Sequence, residues 1–176
     1  MKISNTLMRH YRKRLWTIAL LLTFAFALRA DRFPTLAADD LNGRHVTLPA
    51  LTQGAPAILI VGFTRNSGEQ TRDWAKRIPK DVSSPYSIAV LEDASRLMRG
   101  IAVRSIRSGV PRAQRDHFLI LYQDENDLKT AAQFQAPDEA YLMVLGPDGS
   151  VRWRFHGAFT HTALKQLRQQ FNGVRQ

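Results

Sequence analysis

Side chains that could do covalent chemistry are few in this chain, and it contains no cysteine at all. Thiolate attack, disulfide exchange and thiol peroxidation are therefore outside its own means. The hydroxyl that stands out is Ser67, placed where the apolar run Ala57–Phe63 gives way to a polar, helix-forming stretch. A serine attacks a substrate only when a base takes its proton. No histidine lies close in sequence and no G-x-S-x-G elbow surrounds Ser67, so His117 or His156 would have to be brought to it by the fold. The competing role is a helix cap, in which Ser67 or Asn66 accepts backbone N–H groups ahead of Glu69 and Gln70. Arg65 beside the same helix start also suits an anion.

Metal chemistry finds little support. His45, His117, His156 and His161 show no ligand spacing, and DENDLK at 124–129 lacks the glycine and terminal glutamate of a calcium loop. That segment reads as a turn and helix cap, and no metal or cofactor is expected. The strongest charge feature is basic. Arg96, Arg99, Arg104, Arg107, Arg112 and Arg115 face a single acid, Asp116, within 94–117. They form either a solvated helix face or a docking surface for anionic lipid headgroups or an acidic partner.

The elements that must position these residues follow from periodicity. Asn42-Gly43 between short apolar segments predicts a hairpin with a type I′ turn. Ala57–Phe63 is a continuous β-branched run, as expected of a strand buried on both faces. A helix over 68–78 follows, with Trp74 and Ile78 on one face and Pro79 ending it. Tyr86–Leu91 reads as a strand. Asp93 then caps a helix running to about Ser108, interrupted by Gly100, with Leu97, Met98, Ile101 and Ala102 as its apolar stripe and the arginines broadly opposite. Phe118–Tyr122 is another buried strand, and a short helix is expected near 127–134. Tyr141–Leu145 and Val151–Phe155 flank Gly146-Pro147-Asp148-Gly149 as a hairpin, on which Trp153 faces away from Arg152 and Arg154. Leu164, Leu167 and Phe171 line a final helix. The fold class is α/β: a hairpin, then β-α-β-α-β-α-β-β-α, with a central mixed sheet and helices on both faces.

Charge and composition limit the partners. The formal net charge of +10 concentrates at the start: residues 1–30 supply +6 and residues 31–176 only +4. A modestly basic domain of ordinary globular composition gives no reason to expect nucleic-acid binding. Within 1–30, basic residues precede the uncharged apolar stretch Leu15–Leu28, with the small residues Ala25 and Ala27 near its end. That order predicts a secretory signal peptide, or a short membrane anchor, ahead of a single domain over 31–176. The stretch is shorter than the roughly 20 residues that span a bilayer comfortably. Periplasmic placement, secreted across or anchored to the inner membrane, follows as an expectation.

With its closing hairpin and helix, this order resembles the thioredoxin-like superfamily, especially its peroxiredoxin and membrane-tethered thioredoxin branches. FPTLAADDLNGRHVTLPAL is similar to the opening of those proteins, and GAPAILIVGFT to their first central strand. In FTRNSGEQT the resemblance sets Ser67 at the place of the peroxidatic cysteine, on a turn expected to face outward. In AYLMVLGPDGSV it sets Ala140 where a cis-proline presents backbone to substrate. Trp74, YSIAVLEDASRLMRG, IRSGVPRAQRDHFLILY and EAYLMVLGPDGSVRWRFHGAFTHTALKQL are similar in detail to the mitochondrial F1Fo-ATP synthase assembly-factor family acting on subunit 6.

These resemblances imply a redox-inactive, non-catalytic binding or assembly factor at the inner membrane. Its recognition surface would comprise Arg65, Asn66 and Ser67, the Ala140–Tyr141 edge and the basic 96–115 face. Its partner would be a protein, of the inner membrane in one version. Two alternatives remain open: a hydrolase or transferase using Ser67, and a partner subunit for a cysteine-bearing redox protein.

Overall fold

A computed structural model describes residues 31–175, so the predicted signal or anchor over 1–30 lies outside the described residues. Seven strands form one sheet in the order β2-β1-β5-β4-β3-β6-β7. Their ranges are β1 Leu36–Asp40, β2 His45–Leu48, β3 Ala57–Gly62, β4 Tyr86–Val90, β5 Phe118–Leu121, β6 Ala140–Leu145 and β7 Val151–His156. Strands β3, β4 and β5 run parallel, and both hairpins add antiparallel strands, one at each edge. Four helices complete the α/β order: α1 Ser67–Arg77, α2 Arg96–Gly109, α3 Glu125–Ala132 and α4 His161–Arg175. The expected sheet and element order are thus observed.

Every residue of β3 and of β6 is buried. Because side chains alternate along a strand, each demands cover on both faces. One face packs Ile58, Ile60, Leu142 and Val144 against Trp74 of α1 and Leu167 and Phe171 of α4. The other packs Leu59, Val61, Ile88, Leu121 and Met143 against Leu128, Ala131 and Ala132 of α3. Trp153 is half-buried on the α1/α4 face, while Met143, the cross-strand partner of Arg154, belongs to the other.

Helix α2 departs from expectation. It is unbroken through Gly100, its cap is Ser95 rather than Asp93, with Ser95 Oγ accepting the Met98 N–H at 3.4 Å, and none of its residues is buried. Leu97, Met98 and Ile101, read as a core stripe, are 75%, 53% and 54% exposed. The inward side carries Arg99, Ala102, Val103 and Ile106 instead. The seat explains this. Right-handed crossovers place α2 on the same sheet face as α1, and there β4 offers only Ser87 and Ala89, cross-strand from Ile60 and Ile120.

The first hairpin also closes differently from a type I′ turn. Only Gly43 has positive φ, at 87°; Asn42 does not. The buried Asp40 carboxylate organises the loop, accepting Asn42 N–H at 2.8 Å, Arg44 N–H at 2.9 Å and the Arg44 Nε–H at 2.6 Å. Burial alone would raise this carboxyl's pKa; the hydrogen bonds from Arg44 and Asn42, with the Arg44 charge, outweigh it and hold the value below the ordinary one.

A lowered folded value means stabilisation that is complete above the unfolded carboxyl's titration and lost as pH falls through the folded one. Asp40→Asn is expected to cost about 1–3 kcal/mol at neutral pH. Urea unfolding at pH 7 and below about pH 4 should show the gap between variant and parent shrinking in acid. A gap independent of pH would contradict the assignment.

Candidate functional site

The site lies at the carboxyl ends of the parallel strands, where open α/β sheets form their ligand crevices. Strand β3 ends at Gly62, and a Cβ there would sit 2.8 Å from Ser67 Oγ and 3.1 Å from Thr71 Cγ2. Glycine thus lets α1 begin directly against the strand end. Phe63 remains buried, and Thr64 starts the turn.

Ser67 is completely buried, not outward-facing. Its hydroxyl donates to the Thr64 carbonyl at 2.8 Å and accepts the Thr64 N–H at 3.3 Å, while the Ser67 N–H donates to Thr64 Oγ1 at 3.2 Å. The hydroxyl is committed to this turn, with no histidine among its partners. That geometry removes the premise of a Ser67 nucleophile. Capping also falls elsewhere: Asn66 makes no side-chain cap bond, and Thr64 supplies the acceptor for the first helical N–H. Arg65 and Asn66 are exposed. The Gly68 N–H is occupied by the Arg65 carbonyl at 3.1 Å, so the helix start presents fewer free donors to an anion than its sequence suggests.

The facing wall is the segment 137–141, stapled to the turn. Thr64 Oγ1 donates to Asp138 Oδ1 at 2.8 Å, with the Pro137 carbonyl at 3.2 Å, and Asn66 Nδ2 donates to Asp138 Oδ2 at 3.3 Å. Ala140 and Tyr141, expected as a binding edge, are 0% and 1% exposed on β6, which lies inside the sheet between β3 and β7. Both backbone groups of Ala140 are engaged: its N–H donates to Gln70 Oε1 at 3.2 Å and its carbonyl accepts the Gly157 N–H at 2.9 Å. The cis peptide among the described residues is Leu48–Pro49, so the bond before Ala140 is trans.

Tyr141 holds the same wall from beneath. Its hydroxyl accepts the N–H groups of Gln135 and Ala136 at 2.8 Å each and donates to the Ala136 carbonyl at 2.9 Å. Its ring meets Phe63 edge-on at 5.4 Å and stacks near Phe134 and His156 at 5.6 Å each. His156 Nδ1 lies 2.5 Å from Glu139 Oε2.

Between the turn, the end of β4 and α3 opens a cleft of about 450 Å³. Phe63, Val90, Phe134 and Pro137 supply apolar lining, and Glu92, Asp93, Glu125 and Lys129 the polar part. Glu92 accepts the Glu125 N–H at 2.6 Å, capping α3 from another segment; within 124–129, expected as a turn and helix cap, Asp124 sits in the left-handed region at φ 63° without a side-chain cap bond. Lys129 pairs with Glu125 at 2.7 Å and lies 5.0 Å over the Phe134 ring. The arrangement can hold an apolar group beside a cation or hydrogen-bond donor; it contains no nucleophile with an adjacent base. No metal-competent cluster of three or more His, Asp or Glu side chains occurs among the described residues. Sequence reasoning missed this cleft because four separate segments line it. The acidic pair Glu92–Asp93, directly after a parallel strand, was the available signal.

The six arginines divide by role. Arg99 turns inward, donating from Nε to the Leu91 and Ala94 carbonyls at 3.0 and 2.9 Å and from Nη2 to the Glu92 carbonyl at 2.6 Å. Arg115 donates to the carbonyls of Val110 and Arg107 at 3.3 and 3.0 Å. Both tie chain segments together. Arg96, Arg104, Arg107 and Arg112 are exposed and make no ion pair with a described residue.

No family model matches the sequence, and no curated protein matches it. Solved structures do. BsSco, a member of the Sco family of cytochrome c oxidase assembly proteins, is similar over 82% of this chain and 93% of its own, at 13% identity and a TM-score of 0.56. A thioredoxin-family thiol:disulfide interchange protein from Chlorobium tepidum covers 84% and 98%, at 12% identity and 0.52. The pneumococcal exposed lipoprotein thioredoxin Etrx1 from Streptococcus pneumoniae covers 78% and 99%, also at 12% identity and 0.52. At such identities the likeness shows the fold: it is thioredoxin-like. The finer resemblance to the ATP synthase assembly-factor family has no support from these matches.

Two experiments probe the site. A thiol introduced by Ser67→Cys should react with a maleimide far more slowly than one introduced by Asn66→Cys in the folded protein; equal rates would contradict the buried turn. Tyr141→Phe leaves the Gln135 and Ala136 N–H groups without their acceptor and should cost about 1–3 kcal/mol in urea unfolding.

Proposed function

We propose that this chain is a redox-inactive, exported binding or assembly factor of thioredoxin-like fold, acting on a protein client at the inner membrane. One observation carries the proposal. At the positions that the resemblance sets against a reactive thiol and a substrate-presenting backbone, Ser67 is buried and both Ala140 backbone groups are internally bonded, yet an open cleft adjoins them. Recognition without turnover fits that combination. The client contacts are Arg65 and Asn66 on the turn and the cleft lining from Phe63 to Phe134, with Glu92 and Asp93 favouring a client segment that carries basic as well as apolar side chains.

The basic, then uncharged apolar, start of the sequence supports export. An assembly role is compatible with the Sco family of cytochrome c oxidase assembly proteins to which BsSco belongs, and with the resemblance to the ATP synthase assembly-factor family. The absence of cysteine means that purified protein should show no thiol reductase or peroxidase turnover of its own.

Photo-crosslinking in cells tests the proposal, with a photoreactive residue at Arg65, Asn66 or Asp93 and a control at the exposed Gln169. A dominant membrane-protein adduct from the first three and not from Gln169 is expected, and mass spectrometry would identify the client. An adduct with a soluble cysteine-bearing redox protein would replace the assembly role by that of a redox partner. Absence of a specific adduct at all three positions would overturn client binding at this cleft.

A further inference from the structure

We infer that the outward face of α2 is a docking surface for anionic lipid headgroups, with Leu97, Met98 and Ile101 entering the interface and Arg96, Arg104 and Arg107 engaging phosphate. Two independent features converge on this helix. Its three large apolar side chains are at least half exposed, and no residue of the helix is buried. At α-helical spacing, Leu97 and Ile101 (i, i+4) lie on the face opposite the inward Arg99, Val103 and Ile106, with Met98 beside them. Arg104 borders this patch, and Arg96 and Arg107 extend the same flank.

Charge selects the occupant. Residues 94–115 contain six arginines and no acid, and the two arginines used structurally, Arg99 and Arg115, are separate from the three assigned to lipid. An apolar face bordered by unpaired guanidinium groups matches the headgroup boundary, where apolar side chains insert shallowly and long cationic ones reach the phosphates. An acidic protein would satisfy the arginines but would need its own apolar groove for three side chains projecting from a convex helix. Each basic residue near an anionic surface contributes about fivefold in partitioning, so three together contribute roughly a hundredfold.

The inference stands apart from client binding at the cleft, because the test contains no client. The cysteine-free chain allows one environment-sensitive fluorophore on the full-length protein, through Ser105→Cys on the outward side of α2 or, as control, Asn172→Cys on α4. With phosphatidylcholine vesicles containing phosphatidylglycerol, the label at 105 should shift to the blue and that at 172 should not. Replacing Arg96, Arg104 and Arg107 together by Gln should weaken the response by about a hundredfold. Leu97→Ser with Ile101→Ser should also weaken it, in proteins whose circular dichroism matches the parent. Three results would overturn the inference: no shift at 105, an equal shift with neutral vesicles, or a shift unchanged in either multiple variant. A response to polyglutamate but not to vesicles would do so as well, assigning the face to an acidic protein.

Discussion

Burial of β3 on both faces is the constraint from which the remaining architecture follows. Ala57–Gly62 has no exposed residue, so its flanking strands and both helical layers are required before its side chains leave water. Ile58 and Ile60 demand α1 and α4; Leu59 and Val61 demand α3. Apolar side chains thin out on the α1 side beyond β3, where β4 turns Ser87 and Ala89 toward the helix layer. Helix α2 sits over that region, and its shallow seat is a consequence of where the sheet's large residues were placed.

The same strand delivers the chain to the turn at 64–67, and there the polar groups close on one another. Thr64, Ser67, Gln70, Asp138 and Ala140 satisfy one another across the two walls, so the hydrogen-bonding capacity that could have met a substrate is directed inward. A buried polar group left unpaired is costly, which favours such closure. What stays open is the adjacent cleft, whose apolar lining carries Glu92, Asp93, Glu125 and Lys129 at its polar part.

Much of the architecture was legible because continuous apolar runs and Gly-rich turns are local signals. Ala57–Phe63, Phe118–Tyr122 and the hairpin at 146–149 depend on their own residues alone. Helix faces were harder. Periodicity located the apolar stripe of α2 but could not say which side the sheet would accept, and an arginine such as Arg99 could not be expected to turn inward toward three carbonyls. Caps failed for a related reason: Thr64, Ser95 and Glu92 act through bonds whose partners depend on how the chain turns. The burial of Ser67 and Ala140 was invisible in the sequence, since it is set by Gly62, Gln70 and Gly157. The cleft was least legible, being assembled from strand ends and a helix distant in sequence.

Arg99 bears on how the molecule opens. Its guanidinium gathers the carbonyls of Leu91, Glu92 and Ala94, clamping the base of α2 to the end of β4, whereas the rest of that helix has no buried residue to hold it. Arg115 holds the other end, donating to the Arg107 and Val110 carbonyls, so α2 is fastened at its two ends and only lightly packed between them. An element with no buried residue is the kind that opens locally with the sheet intact, whereas strands buried on both faces, as β3 and β6 are, open only with the core. The consequence to expect is two very different opening lifetimes in one domain, the shorter belonging to α2.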